Sequence, residues 1–197
     1  MTSKWVREPI RHLVLVLGDQ LNTDSVALHG FDPQQDAIWM AEVAHESTKV
    51  WSGKPRTVLF LSAMRHFRDA LRARGWRVFY RELSADAAIW NEEPDLPLET
   101  CGETFAEVLA AFLQQVRPQW VIFAEPGEWQ VRVDIEACLT VADVEFEVRE
   151  DRHFLCTHAD FDTHAAGRRQ LRMEYFYREM RVRHDVLMDN GKPAGGG

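Results

Sequence analysis

Three apolar runs in this chain stop at polar residues that can do chemistry. Leu13-Val14-Leu15-Val16-Leu17 ends in Gly18-Asp19-Gln20. Residues 37–43 carry Glu42 near their end, with Glu46 close behind, and residues 120–124 end in Glu125-Pro126-Gly127-Glu128. A continuous apolar run suits a strand buried on both faces of a parallel sheet, and such sheets bind ligands at the carboxyl ends of their strands. Carboxylates and an amide gathered there can orient a ligand by hydrogen bonds, and Gly18 leaves room for the backbone to turn. Carboxylate pairs also serve acid–base catalysis, but no nucleophile accompanies these. Each residue has a plainer reading beside the ligand-binding one. Asp19 can cap the turn that follows it, and Glu42 and Glu46 can be solvated carboxylates. Glu125 and Glu128 suit a turn and a helix start.

The remaining reactive groups carry less. His153, Cys156, His158 and His164 fall within one stretch at spacings that match no common metal pattern, so no metal site is expected. His66 reads as a packing or hydrogen-bonding residue. The three cysteines, Cys101, Cys138 and Cys156, are far apart, which argues against a disulfide framework or an iron–sulfur cluster within these residues. With 23 Lys and Arg against 31 Asp and Glu, the net charge is -8, which argues against this chain gripping DNA by itself. The basic run Arg168, Arg169, Arg172, Arg178, Arg181 and Arg183 reads first as a solvated helix face, then as a contact with another domain, then as a DNA contact. There is no Gly-x-Gly-x-x-Gly, Walker or Gly-x-Ser-x-Gly motif. No stretch is apolar enough to span a bilayer, and residues 1–5 lack the core of a signal peptide, so the expected location is the cytoplasm.

These residues need a scaffold, and strands alternating with helices predict one. Strands are expected at 13–17, 37–43, 57–61, 76–80, 120–124 and 144–148. Helices are expected at 62–74, 103–116, 128–139 and 170–183. A short helical turn is expected at 26–28, an acidic loop at 91–102 and a loop at 154–169. Met173, Phe176, Tyr177 and Met180 are expected to share one face of the last helix, and Trp39, Trp76 and Trp120 to lie in the core. The tail from Gly191 is expected to hold no structure. The fold class is α/β: a Rossmann-like, doubly wound parallel sheet of about five strands flanked by helices, with a C-terminal linker helix.

Four segments in order, Leu-Gly-Asp-Gln-Leu at 17–21, Phe-Leu-Ser-Ala-Met-Arg-His-Phe at 60–67, Glu-Pro-Gly-Glu-Trp at 125–129 and Arg-Met-Glu-Tyr-Phe-Tyr-Arg-Glu-Met-Arg at 172–181, resemble the N-terminal part of the bacterial photolyase-related proteins. That group includes the iron–sulfur bacterial cryptochromes and (6-4) photolyases. The resemblance implies an antenna domain over 1–150, and a linker and helix over 151–197 leading to a C-terminal FAD-binding domain that this chain lacks. It implies 6,7-dimethyl-8-ribityllumazine as antenna chromophore, held by Gly18, Asp19, Gln20, Ala41, Glu42, Val43 and Glu46. Some relatives have Cys at the position of Ala41 and an aromatic at that of Lys49. FAD and a [4Fe–4S] cluster would belong to the lacking domain, which would also be the partner of this one and its route to DNA. The expected function is light harvesting for (6-4) photolesion repair or blue-light sensing, with no catalysis by this chain alone. The alternatives are a nucleotide-like-ligand-binding α/β domain, a hydrolase on the same fold, or a partner-docking module.

Overall fold

The apolar runs become adjacent strands because a strand buried on both faces must pair on both edges. The computed structural model describes residues 9–45, 53–83, 89–91 and 104–194. Its central strands are β1 (His12–Leu15), β2 (Ala37–Ala41), β3 (Val78–Glu82), β5 (Trp120–Ala124) and β6 (Glu145–Arg149), all parallel, with β4 (Ile89–Asn91) antiparallel at one edge. The order is β4-β3-β2-β1-β5-β6. The chain lays β2 and β3 on one side of β1, then crosses to lay β5 and β6 on the other. The strand order therefore reverses between β1 and β5, where open α/β sheets leave a crevice.

Alternate residues of each strand feed two cores. Leu13, Leu15, Trp39, Phe79 and Phe123 pack under α2 (Phe105–Leu113) and α3 (Trp129–Val141). Val14, Ile38, Met40, Tyr80 and Ile122 pack under α1 (Lys54–Ala73) and a 3-10 turn at Val26–Leu28. The sheet is thus doubly wound, as expected. Trp39 is fully buried, with its ring edge-on to Phe105 at 4.9 Å. Trp76, two residues before β3, is half-buried against the core with its ring tilted on Phe31 at 4.6 Å, whereas Trp120 departs from the expected core and is 42% exposed.

Residues 57–61 are not a strand. They complete the first turn and form the second turn of α1, which begins after Gly53 with Pro55 in its first turn, where a missing N–H costs nothing. Their apolar run is misleading because Val58 and Leu59 face solvent, 63% and 72% exposed. The inward face is Phe60, Met64, Phe67 and Leu71, a helical period that appears only when the window runs past residue 62.

At the amino end of the sheet, Asp36 is buried and fully hydrogen-bonded. It accepts from Arg11 Nε at 2.9 Å and Nη2 at 2.6 Å, and from the backbone N–H groups of His12 and Asp32 at 3.1 and 2.8 Å. Burial pushes its pKa up, but these donors outweigh burial and hold it below the ordinary aspartate value. A depressed folded-state pKa stabilises the fold above the unfolded value and loses that stabilisation as pH falls through the folded one. Asp36→Asn is therefore expected to flatten the acid limb of a stability–pH profile below roughly pH 4. Denaturant titrations from pH 7 to pH 3 check this, and an unchanged slope would refute it.

β6 forms the other edge of the described sheet. It carries Glu145, Glu147 and Arg149 along its outer positions. Arg149 pairs with Glu147, and its Nη1 donates to the carbonyls of Val26 at 2.9 Å and His29 at 2.8 Å, fixing the 3-10 turn to the sheet. Cys138 is half-buried under α2, and burial pushes its thiol pKa up, which keeps it in the inert form.

The chain divides after Asp151 into two compact units. In the second, residues 154–169 are not all loop. Thr157 and Asp160 form a capping box that starts α4 (His158–Ala165). The helix α5 (Met173–His184) lies where a helix was expected, but its four apolar residues do not share a fate. Phe176 packs on Phe161 and His164, and Met180 is buried, whereas Met173 and Tyr177 are exposed. Three of the six arginines are engaged locally: Arg178 with Glu174, Arg183 with Asp160, and Arg181 with the carbonyls of Val186 and Leu187. The tail is also structured as far as Ala194. Asn190 and Gly191, both at positive φ, form the tight turn between β7 (Met188–Asp189) and β8 (Lys192–Pro193). Among the described residues no helix is long and apolar enough to cross a membrane. The expected acidic loop at 91–102 lies, after Asn91, outside the described residues, as do Cys101, Lys49 and Glu46.

Candidate functional site

The crevice predicted by the strand order holds a cavity of about 240 Å3. Its floor is the end of β1 running into Leu17 and Gly18, together with Ala41 at the end of β2 and Val43 just beyond it. Phe60, Leu61 and Met64 of α1 close one side. Phe105 of α2, Val131 of α3 and the Pro126-Gly127 turn after β5 close the other. The walls are therefore chiefly apolar and come from both helical layers.

Gly18 is needed here for contact rather than for a left-handed backbone. A Cβ on Gly18 would lie 2.3 Å from Cζ of Phe60 and 3.0 Å from Sδ of Met64. The aromatic ring of Phe60 thus rests directly on the backbone that follows β1.

The polar residues of this region have separate tasks. Glu42 lines the cavity but is 1% exposed, and its carboxylate accepts four hydrogen bonds from the protein. Oε1 takes Arg65 Nε at 2.7 Å and the Tyr80 hydroxyl at 2.5 Å, and Oε2 takes Arg65 Nη2 at 2.9 Å and the Leu83 N–H at 2.8 Å. A carboxylate has about four acceptor positions, so none is left for a ligand. Burial pushes the Glu42 pKa up, but the bonds from Arg65, Tyr80 and Leu83 outweigh it and hold Glu42 ionised. Burial, then the Glu42 carboxylate, push the Tyr80 phenol far above its ordinary value, so Tyr80 stays a donor. Arg65 also reaches Glu82 at 3.0 Å, and Arg68 joins Glu82 while its guanidinium lies 4.7 Å above the Tyr80 ring. The cluster locks the end of β2 to β3 and α1, and so holds Ala41 and Val43 in place beneath the cavity.

Gln20 does not line the cavity. Its amide donates to the carbonyls of Glu125 at 3.0 Å and Ala124 at 3.4 Å, and so sets the width of the crevice between β1 and β5. Glu125 pairs with Arg132, and Glu128, the residue preceding α3, lines the cavity. Asp19 and Arg56 are different. Both line the cavity, both are exposed, and neither side chain has a protein partner among the described residues. They offer one acceptor and one cationic donor at the rim.

Of the expected site residues, Gly18, Asp19, Ala41, Glu42 and Val43 are brought together, Gln20 sits one layer behind them, and Glu46 lies outside the described residues. Arg56, Phe60, Met64, Phe105 and Val131 were not in the expected set. A signal existed for the first three, since positions 56, 60 and 64 share one helical face once residues 57–61 are read as helix. The histidines of the second unit form no metal centre: among the described residues no three His, Cys, Asp or Glu side chains are placed to hold an ion, and His164 instead contacts Glu179 at 2.7 Å.

The family model described as deoxyribodipyrimidine photo-lyase-related protein matches residues 14–197. A (6-4) photolyase of Agrobacterium fabrum (strain C58 / ATCC 33970) is 39% identical over 184 residues, covering 93% of this chain and 34% of that protein. The chain therefore spans about a third of the length of the curated relative it matches.

Proposed function

Because the chain belongs to the deoxyribodipyrimidine photo-lyase-related protein family, we propose that its first unit is a light-harvesting domain whose cavity holds 6,7-dimethyl-8-ribityllumazine. The observation that carries this reading is the donor set at the rim of an otherwise chiefly apolar slot. A lumazine ring is flat, with ring N–H and carbonyl groups along its edge. Phe60, Met64, Phe105 and Val131 suit its faces, Asp19 can accept from an N–H, and Arg56 can donate to a carbonyl or ring nitrogen. When bound, the chromophore absorbs near-ultraviolet or blue light and passes excitation by dipole coupling to a flavin. This chain's own part is to bind, orient and exclude water. Gln20 and the Glu42 cluster act through the walls they position.

The flavin, the [4Fe–4S] cluster and contact with DNA belong, in this proposal, to a further domain joined to this one in the full protein. (6-4) photolesion repair or blue-light signalling would be the activity of that whole. The acidic charge of this chain supports leaving the DNA contact to the other domain.

Reconstitution tests the reading. The 197-residue chain is expected to retain ribityllumazine through desalting and to shift its absorbance. No retention, or retention of ATP in its place, would overturn the reading in favour of another ligand. Asp19→Ala and Arg56→Ala are each expected to weaken binding by about tenfold, the loss of one charge-assisted hydrogen bond, with the melting temperature unchanged.

A further inference from the structure

The net charge of -8 is an average over two unlike units. In the second, residues 152–194 carry eight Lys and Arg against six Asp and Glu, and the excess is concentrated in one place. Gly167, at φ +70°, turns the chain after α4, and every residue from 166 to 175 is exposed. Arg168, Arg169 and Arg172 fall within that stretch. Phe176, packed on Phe161 and His164 of α4, fixes where the stretch enters α5.

The carboxylates of α5 do not neutralise these arginines. Glu174 is held by Arg178, and Glu179 by His164 and Arg183. Glu179 is held below the ordinary glutamate value by its hydrogen bond with His164 first and by the charge of Arg168 least. Arg169 and Arg172 have no side-chain partner among the described residues, and neither does the ring of Tyr175, which is 47% exposed. Elsewhere the fold satisfies its arginines: Arg11, Arg65, Arg132 and Arg149 each hold a carboxylate.

The chemistry of this strip selects its partner. A guanidinium is a planar fork that matches phosphate oxygens, and three of them within five residues suit a chain of repeating phosphates. A free tyrosine ring beside them offers a face on which an unstacked base can lie. A duplex keeps its base faces within the stack, and an acidic peptide brings charge without a base. We propose that Arg168, Arg169, Arg172 and Tyr175 form a sequence-independent contact for single-stranded DNA, with phosphates on the arginines and a base on the tyrosine. The contact goes beyond the antenna reading and is independent of it. It adds a grip on the strand to the lesion contact assigned above to the further domain.

Fluorescence anisotropy of the native chain with a labelled oligothymidylate of about 12 nucleotides tests the proposal with no chromophore present. Binding is expected at about 10–100 μM in low salt, and is expected to weaken as salt rises with a log–log slope of about −2, three contacts at roughly 0.7 each. Arg168→Gln, Arg169→Gln and Arg172→Gln together are expected to lower affinity at least about tenfold and to bring the slope close to zero. Tyr175→Ala is expected to weaken binding about tenfold with the slope unchanged, since stacking releases no counterions. All four positions are exposed, so the melting temperature is expected to hold. No binding by the native chain, or a triple variant with the native slope, would overturn the proposal. So would tighter binding of the matching duplex, or equal competition by an oligoglutamate of the same charge. None of these results touches lumazine retention, so the antenna reading stands or falls separately.

Discussion

Glu42→Ala is expected to cost about 3 kcal/mol of folding stability. Removing one partner of a buried ion pair costs roughly 3–5 kcal/mol, and the lower end applies here because Arg65 is about a third exposed and can turn to water or to Glu82. The fully buried Tyr80 hydroxyl has no such escape. For a unit of this size the loss corresponds to roughly 6–12 °C in melting temperature. Glu42→Gln is expected to cost less, since its carbonyl still accepts while its amide meets a donor. The pH dependence has a fixed sign. The folded-state pKa of Glu42 lies below its ordinary value, so its contribution is present at neutral pH and disappears as pH falls below roughly 4. Thermal melts of both variants at pH 7 and pH 4 check the scheme. A native-like melt for Glu42→Ala at pH 7 would show that the cluster does not brace β2 against α1.

Gly18→Val is expected to reduce chromophore affinity by at least a hundredfold with a smaller loss of stability. Even the Cβ alone would approach Phe60 to 2.3 Å, so the ring must move, and the open space beside it is the cavity it lines. Overpacking costs about 1–3 kcal/mol, and occlusion removes the site as well. Phe60→Ala in the Gly18→Val background is expected to restore binding in part, because the collision and its relief involve the same two residues while the contact of the Phe60 ring with the chromophore is lost. Binding by Gly18→Val alone at native affinity would show that the ligand does not use this cavity.

Much of this was legible in the residues, for physical reasons. The β1, β2, β5 and β6 runs are apolar on both faces or alternate with period two, and the rule that sheets bind at their carboxyl ends pointed to Gly18, Asp19 and Glu42. The first two turns of α1 were not legible, although its remainder was expected as helix from residue 62, because Val58 and Leu59 put solvent-facing apolar side chains into an inward-looking run. That error hid Arg56 and Phe60 from the candidate site. The saturation of Glu42 was not legible either, since Arg65, Tyr80 and Leu83 lie 23 to 41 residues away and no local pattern announces them. Gln20 stood among the expected ligand contacts, but its partner is a backbone carbonyl 105 residues on. A main-chain partner leaves no trace in residue type.

The β6 edge has a consequence for how the protein behaves in concentrated solution. An open edge strand invites a second copy to add itself through main-chain hydrogen bonds. Here that approach would bring the carboxylates of Glu145 and Glu147 against the same pair on the incoming strand, and Arg149 is already held by Glu147 and the turn carbonyls. Self-association along this edge is thereby opposed by like charge, and neutralising Glu145 and Glu147 together would turn a protected margin into a template for aggregation.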